Sequence, residues 1–191
     1  MTLRLAILST LFVSVCHATE PVFIDDAKIE QDFIDQLSAL AKKEDILTMR
    51  QAEVALKKSQ SRQVSIPAIP SKTSPETPAS LYRHCAPSVV SIGSIFQCGK
   101  CEEWHSAGAA SGWIASPDGL IVTNAHLFEN GKDDPIGVMT LDGEIFAVKE
   151  IVAADVEKDI AILRIDSGNK TLRALPLANS AEPGEEVHVI S

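Results

Sequence analysis

From Leu81 onward the sequence breaks into short runs rich in valine and isoleucine, each closed by a turn signal, and this spacing favours antiparallel sheet. Ser88 to Phe96 is the first run. Gly112 to Ser116 and Leu120 to Thr123 flank Pro117-Asp118-Gly119, where proline presets one backbone dihedral and glycine accepts a positive one. Ile136 to Leu141 and Glu144 to Ala153 flank Asp142-Gly143, a two-residue hairpin signal. Asp159 to Ile165 sets Ile160, Ile162 and Ile165 among smaller or polar residues. About six strands up to Asp166 predict an all-β sandwich or barrel. Val187 to Ile190 starts a further strand.

The upstream sequence has a different grammar. Ile29, Phe33, Leu37 and Leu40 fall on one face of a helix, and Ile46, Met49 and Leu56 extend a weaker stripe. No Pro or Gly interrupts the chain between Ala27 and Ser59. Residues 19–59 therefore read as an amphipathic helical segment, either a short helical hairpin or a frayed pro-segment. The clean heptads are too few for a coiled coil. Residues 60–80 hold Pro67, Pro70, Pro75 and Pro78 among Ser, Thr and Lys, a composition that denies backbone donors and predicts a linker.

The first 18 residues read as an export signal. Arg4 is a short positive region, Leu5 to Val15 an apolar run, and Cys16-His17-Ala18 places small residues before a cleavage after Ala18. The run is shorter than the about 20 residues a membrane span needs. A lipoprotein would use Cys16, but Val15 is bulkier than that processing accepts. The expected location is exported, periplasmic or extracellular. A net charge of −9 without a clustered basic face argues against nucleic acid as a partner, and 191 residues suit one modest domain with appendages.

Loss of Cys16 with the signal leaves Cys85, Cys98 and Cys101, an odd number for an oxidising compartment. Cys98-Gly99-Lys100-Cys101 with His105 four residues on admits three readings. A Cys98–Cys101 disulfide is the expected one for an exported chain, with Cys85 bridging to either cysteine as a variant of it. The others are free thiols, or a zinc site drawing on Cys85, Cys98, Cys101 and His105 or His84. A thioredoxin-type redox pair lacks its βαβ context.

His126 follows a strand in the small-residue turn Thr123-Asn124-Ala125-His126, and Asp159 opens an apolar strand. Either alone reads as structural: a hydrogen-bonded histidine, a strand-capping aspartate. In order, however, the segment from Ser111 through the Ser116-Pro117-Asp118-Gly119 hairpin to Thr123-Asn124-Ala125-His126 resembles the HtrA/Deg-like branch of the trypsin-like serine proteases. The likeness continues through Asp142-Gly143, through Asp159-Ile160-Ala161-Ile162-Leu163-Arg164-Ile165, and into Pro183-Gly184-Glu185-Glu186-Val187. It covers roughly residues 84–191.

The resemblance implies a trypsin-like first β-barrel of about six antiparallel strands over residues 81–166. An inter-barrel linker and the first strand of a second barrel would follow over residues 167–191. It also implies a serine-type endopeptidase that needs no cofactor, takes polypeptide substrates and belongs to a family that often forms homo-oligomers. His126 would be the general base and Asp159 the carboxylate that orients it; imidazole suits the role because its ordinary pKa lies near neutrality. The family's Gly-Asn-Ser-Gly-Gly nucleophile block has no counterpart here. Asp166-Ser167-Gly168-Asn169 lacks the second glycine and follows the Asp159 strand directly, so it reads as a loop, and Ser111, Ser180 and Ser191 have no better claim. The expectation is a chain inactive by itself, the alternative a secreted non-catalytic relative that binds a partner protein.

Overall fold

In a computed structural model, which describes residues 24–43, 45–70, 77–178 and 180–190, the β-rich region closes on itself. The strands are β1 (Val89–Gln97), β2 (Trp104–Ile114), β3 (Leu120–Thr123), β4 (Ile136–Thr140), β5 (Ile145–Asp155) and β6 (Ile160–Ile165). They form a closed barrel in the order β1-β2-β3-β6-β5-β4, every pairing antiparallel. Closure gives every strand two neighbours, although β2 meets β3 only at Trp113 and Ile114 and β5 meets β4 only over Ile145, Phe146 and Ala147. The export signal, with Arg4, Cys16 and Ala18, lies outside the described residues, as does Pro75. No helix among the described residues is long and apolar enough to cross a membrane.

The sequence spacing locates the strands to within a residue or two, except at the start of β2. Ser106, Ala107, Gly108, Ala109 and Ala110 are poor strand formers. They are strand nonetheless because β1 templates them, from Val89 opposite Trp113 to Gln97 opposite Trp104, with one irregularity between Gly93 and Ile95. Val187 to Ile190, expected as an opening strand, is not strand: no described segment pairs with it, and Val187 and Val189 are 78% and 89% exposed.

The helical segment is part of the folded body. Helix α1 (Asp26–Ala41) is capped by Asp25, whose side chain accepts from the Lys28 amide. Helix α2 (Met49–Lys58) opens on a reciprocal Thr48–Gln51 capping box. The connection between them joins the sheet: the Leu47 amide donates to Val148 and its carbonyl accepts from Ile136, both at 3.0 Å. The two capped helices dock on the barrel separately, α1 in the outer core and α2 in the inner one. The linker region splits: Ser59 to Ser61 are pinned to β5, and Pro78 is the first residue of helix α3 (Pro78–Cys85).

Two cores result. Val90, Ile92, Ile114, Ile121, Val138, Phe146 and Leu163 fill the barrel, with Ala52 and Leu56 of α2 joining them. Outside the wall, Phe33 and Leu37 of α1 cover Ile95, Met139, Ile145 and Ala147. This explains why every residue of β4 is buried, where an alternating pattern would be normal: Val138 points in and Met139 points out beneath α1. Helix and wall meet at Gly137, where an added Cβ would lie 2.9 Å from a Leu37 methyl carbon.

Leu37 is fully buried whereas Ile24 is 74% exposed. Leu37→Ala is expected to cost about 2–5 kcal/mol in urea unfolding, and Ile24→Ala less than about 0.5 kcal/mol. Equal effects would contradict the docking of α1.

Candidate active site

Strand β3 ends where β6 begins. Their register sets Leu120 opposite Arg164 and Thr123 opposite Ala161, so the residues just after β3 meet those just before β6. The first group is Asn124-Ala125-His126, turning into a short 3-10 segment over Ala125–Phe128. The second is Asp159. Residues separated by 33 positions are thus brought into direct contact.

The Nδ1 of His126 lies 2.7 Å from Oδ2 of Asp159. The backbone N–H of His126 donates to Oδ1 at 2.9 Å, and the side-chain amide of Asn124 donates to Oδ2 at 2.9 Å. The Ala125 amide donates to the Asp159 carbonyl at 3.3 Å. Asp159 holds a left-handed backbone (φ 55°), uncommon for a residue with a side chain; such a conformation persists only where surrounding contacts over-determine it, and these bonds do so. The hydrogen bonds keep its carboxyl below the ordinary 3.8, the His126 backbone N–H first, then the His126 ring and Asn124.

An ionised carboxylate can only accept, so in neutral imidazole Nδ1 carries the proton and Nε2 keeps the lone pair. The His126 side chain is 66% exposed, which leaves the imidazole accessible to a reactant. Such a ring can take a proton at Nε2 while the carboxylate stabilises the cation that forms. Asn124 is a partner of Asp159 that the sequence alone did not single out. It stood in the quoted Thr-Asn-Ala-His turn, but its role depends on Asp159 being opposite, which only the β3–β6 register reveals.

The hairpin before β3 is locked by its own side chains. Ser116 Oγ donates to Asp118 and accepts from the Leu120 amide at 3.0 Å, and Arg164 of β6 reaches Asp118 at 3.2 Å. Ser167 lies past the far end of β6, about 20 Å of strand from Asp159. There Asp166 accepts from the Gly168 amide and Lys170 donates to the Ser167 carbonyl, a turn, as expected.

The cysteines divide. Cys85 ends α3 before β1 and stands about 26 Å of strand from the far end of β1. That separation removes it from the bridge and zinc readings that included it, and His84 with it; His84 faces Arg173 instead. Cys98 and Cys101 meet His105 at the tip of the β1–β2 hairpin. The two sulfurs lie 2.9 Å apart. Cys101 Sγ lies 3.0 Å from His105 Nε2. Hydrogen bonds from the Cys101 thiol and then from the Lys100 and Cys101 amides lower the Cys98 thiol to about 7.

Residues 110–191 match the family described as trypsin-like peptidase domain. The chain is 42% identical over 84 residues to a probable periplasmic DegP-like serine endoprotease of Halomonas elongata, covering 44% of this chain and 16% of that protein. It is 36% identical over 114 residues to serine protease HTRA1A of Danio rerio, covering 59% of this chain and 23% of that protein. The chain is similar to trypsin-like, HtrA-type serine proteases, and its closed six-strand barrel is consistent with that likeness. It is also 36% identical over 85 residues to the chloroplastic protease Do-like 1 of Arabidopsis thaliana, covering 44% of this chain and 19% of that protein. The HtrA-like chain thus spans a fifth or so of the length of these relatives.

The lowered Asp159 carboxyl fixes a sign. Its ionised contacts favour the folded barrel above pH 3.8, and that contribution is lost as pH falls through the lower folded-state value. Carbon-detected NMR is expected to place the Asp159 titration midpoint below 3.8 and to find it raised in Asn124→Ala. A midpoint at or above 3.8 in the unaltered chain would contradict the hydrogen-bonding scheme.

Proposed function

We propose that these residues supply the general-base half of an exported serine endopeptidase acting on polypeptides. The observation that carries the reading is the 2.7 Å contact between His126 Nδ1 and Asp159, made by a ring that stays exposed. In this role His126 Nε2 removes the proton of a serine hydroxyl as the oxygen attacks the peptide carbonyl. It then returns that proton to the departing amine. Asp159 holds the tautomer and stabilises the transient imidazolium, and Asn124 holds Asp159.

The serine is the unfilled role. No Gly-x-Ser-Gly-Gly run occurs in the 191 residues, and Ser167 lies at the wrong end of β6. We therefore assign the nucleophile and the oxyanion donors to polypeptide other than these residues, and propose that the 191 residues alone hydrolyse no peptide bond. Without both groups the principal rate terms of acyl transfer are missing. Export rests on the Arg4 to Ala18 segment, in keeping with the periplasmic description of the Halomonas relative. Assembly into a homo-oligomer rests on family resemblance alone.

Two measurements test the reading. The 191-residue chain is expected to take no label from a serine-directed fluorophosphonate; stoichiometric labelling would show that a nucleophile is present after all. In a longer product carrying a downstream Gly-x-Ser-Gly-Gly block, His126→Ala should lower kcat by roughly 10⁴-fold or more with the barrel's circular dichroism unchanged. Activity kept within tenfold would remove His126 from the mechanism.

A further inference from the structure

We infer that the tip of the β1–β2 hairpin is a zinc(II) site, with Cys98, Cys101 and His105 as three ligands and a fourth position open. The three donor atoms all lie within 4.8 Å of one another. A tetrahedral zinc with ligand distances of about 2.3 Å to sulfur and about 2.0–2.1 Å to nitrogen needs S···S and S···N separations of about 3.8 and about 3.6 Å. The present 2.9 and 3.0 Å contacts would open by less than about 1 Å to admit the ion.

The scaffold suits that small adjustment. His105 sits on β2 directly across from Phe96 of β1, and the two rings pack with centroids 5.5 Å apart. That contact restrains an imidazole already directed at Cys101. The cysteines lie on the adjoining turn, where Gly99 takes a left-handed φ of 71° and lets the chain reverse between them. Both cysteines are exposed and can reach an ion from solvent. The surrounding cleft is lined by Phe96, Ser106 and, from α1, Glu30, which accepts a hydrogen bond from Ser106. The Glu30 carboxylate and the Ser106 hydroxyl, set beside the apolar Ile34 and Phe96, are the groups there that can hold a water in the fourth position. On binding, each thiol gives its proton to solvent and donates a sulfur lone pair to the metal; no electron is transferred.

The expected alternative, a Cys98–Cys101 disulfide, uses the same sulfurs but gives His105 no part. The metal uses all three groups, since the imidazole nitrogen lies as close to the Cys101 sulfur as the two sulfurs lie to each other and all three donors fall within 4.8 Å.

The test is a titration of the reduced full chain with cobalt(II), followed by zinc(II) competition against a chromophoric chelator. The expected result is one equivalent of cobalt with thiolate charge-transfer bands and a tetrahedral visible spectrum, displaced by zinc. Cys98→Ser, Cys101→Ser and His105→Ala should each weaken binding at least about tenfold to hundredfold, and Cys85→Ser should leave it unchanged. Circular dichroism of each variant separates loss of the site from loss of the fold, and zinc-edge absorption on the unaltered chain reports the ligand set independently. Absence of the charge-transfer bands would overturn the proposal. So would a Cys98–Cys101 disulfide in metal-free exported protein, or binding indifferent to His105→Ala. None of these readouts depends on peptidase activity.

Discussion

Pairing β3 with β6 in antiparallel register is the constraint on which the rest of this structure turns. It brings the exit of one strand beside the entry of another, with Thr123 against Ala161, and so fixes the separation of His126 and Asp159 before either side chain makes a bond. The same pairing joins the β1-β2-β3 meander to the β4-β5-β6 meander and completes the barrel together with the β1–β4 contact. A shift of one residue would flip every β6 side chain, moving Ala161, Leu163 and Ile165 out of the core. The hydrophobic pattern of β6 therefore protects the geometry of the polar pair at its end.

The pair is polar and open, so it adds little to stability itself; a carboxylate and an imidazole at 40% and 66% exposure interact weakly through water. Stability comes from the two apolar layers. The inner layer fills the barrel, and α1 with Phe33 and Leu37 seals the outer one. This division places a strained, left-handed Asp159 on a scaffold that can hold it. The hairpin tip bearing Cys98, Cys101 and His105 lies beside the same helix, since Glu30 and Ile34 line its cleft. Helix α1 therefore neighbours both the outer core and the cysteine cluster.

How much of this could be read from the sequence depended on how local each cause is. Turn signals such as Pro117-Asp118-Gly119 and Asp142-Gly143 are local chemistry, and the strands around them were legible. The start of β2 was not, because its small residues are strand only through pairing with β1. Helical periodicity marked Phe33 and Leu37, but not the outer face of β4 that they cover, since β4 carries no alternating pattern to announce it. His126 and Asp159 were legible together through their ordered surroundings, whereas Asn124 acquires its role only from the tertiary register. The cysteine spacing was visible, yet the exclusion of Cys85 required the length of β1 between it and Cys98.

The most direct test of the account is the tautomer of His126 in the 191-residue chain, read from imidazole nitrogen chemical shifts near neutral pH. A barrel that assembles the pair by its own register predicts a protonated Nδ1 held by Asp159 and an unprotonated Nε2, a preference lost in Asp159→Ala. A tautomer mixture in the unaltered chain the same as that in Asp159→Ala would contradict it, and with it the claim that the β3–β6 register builds the base.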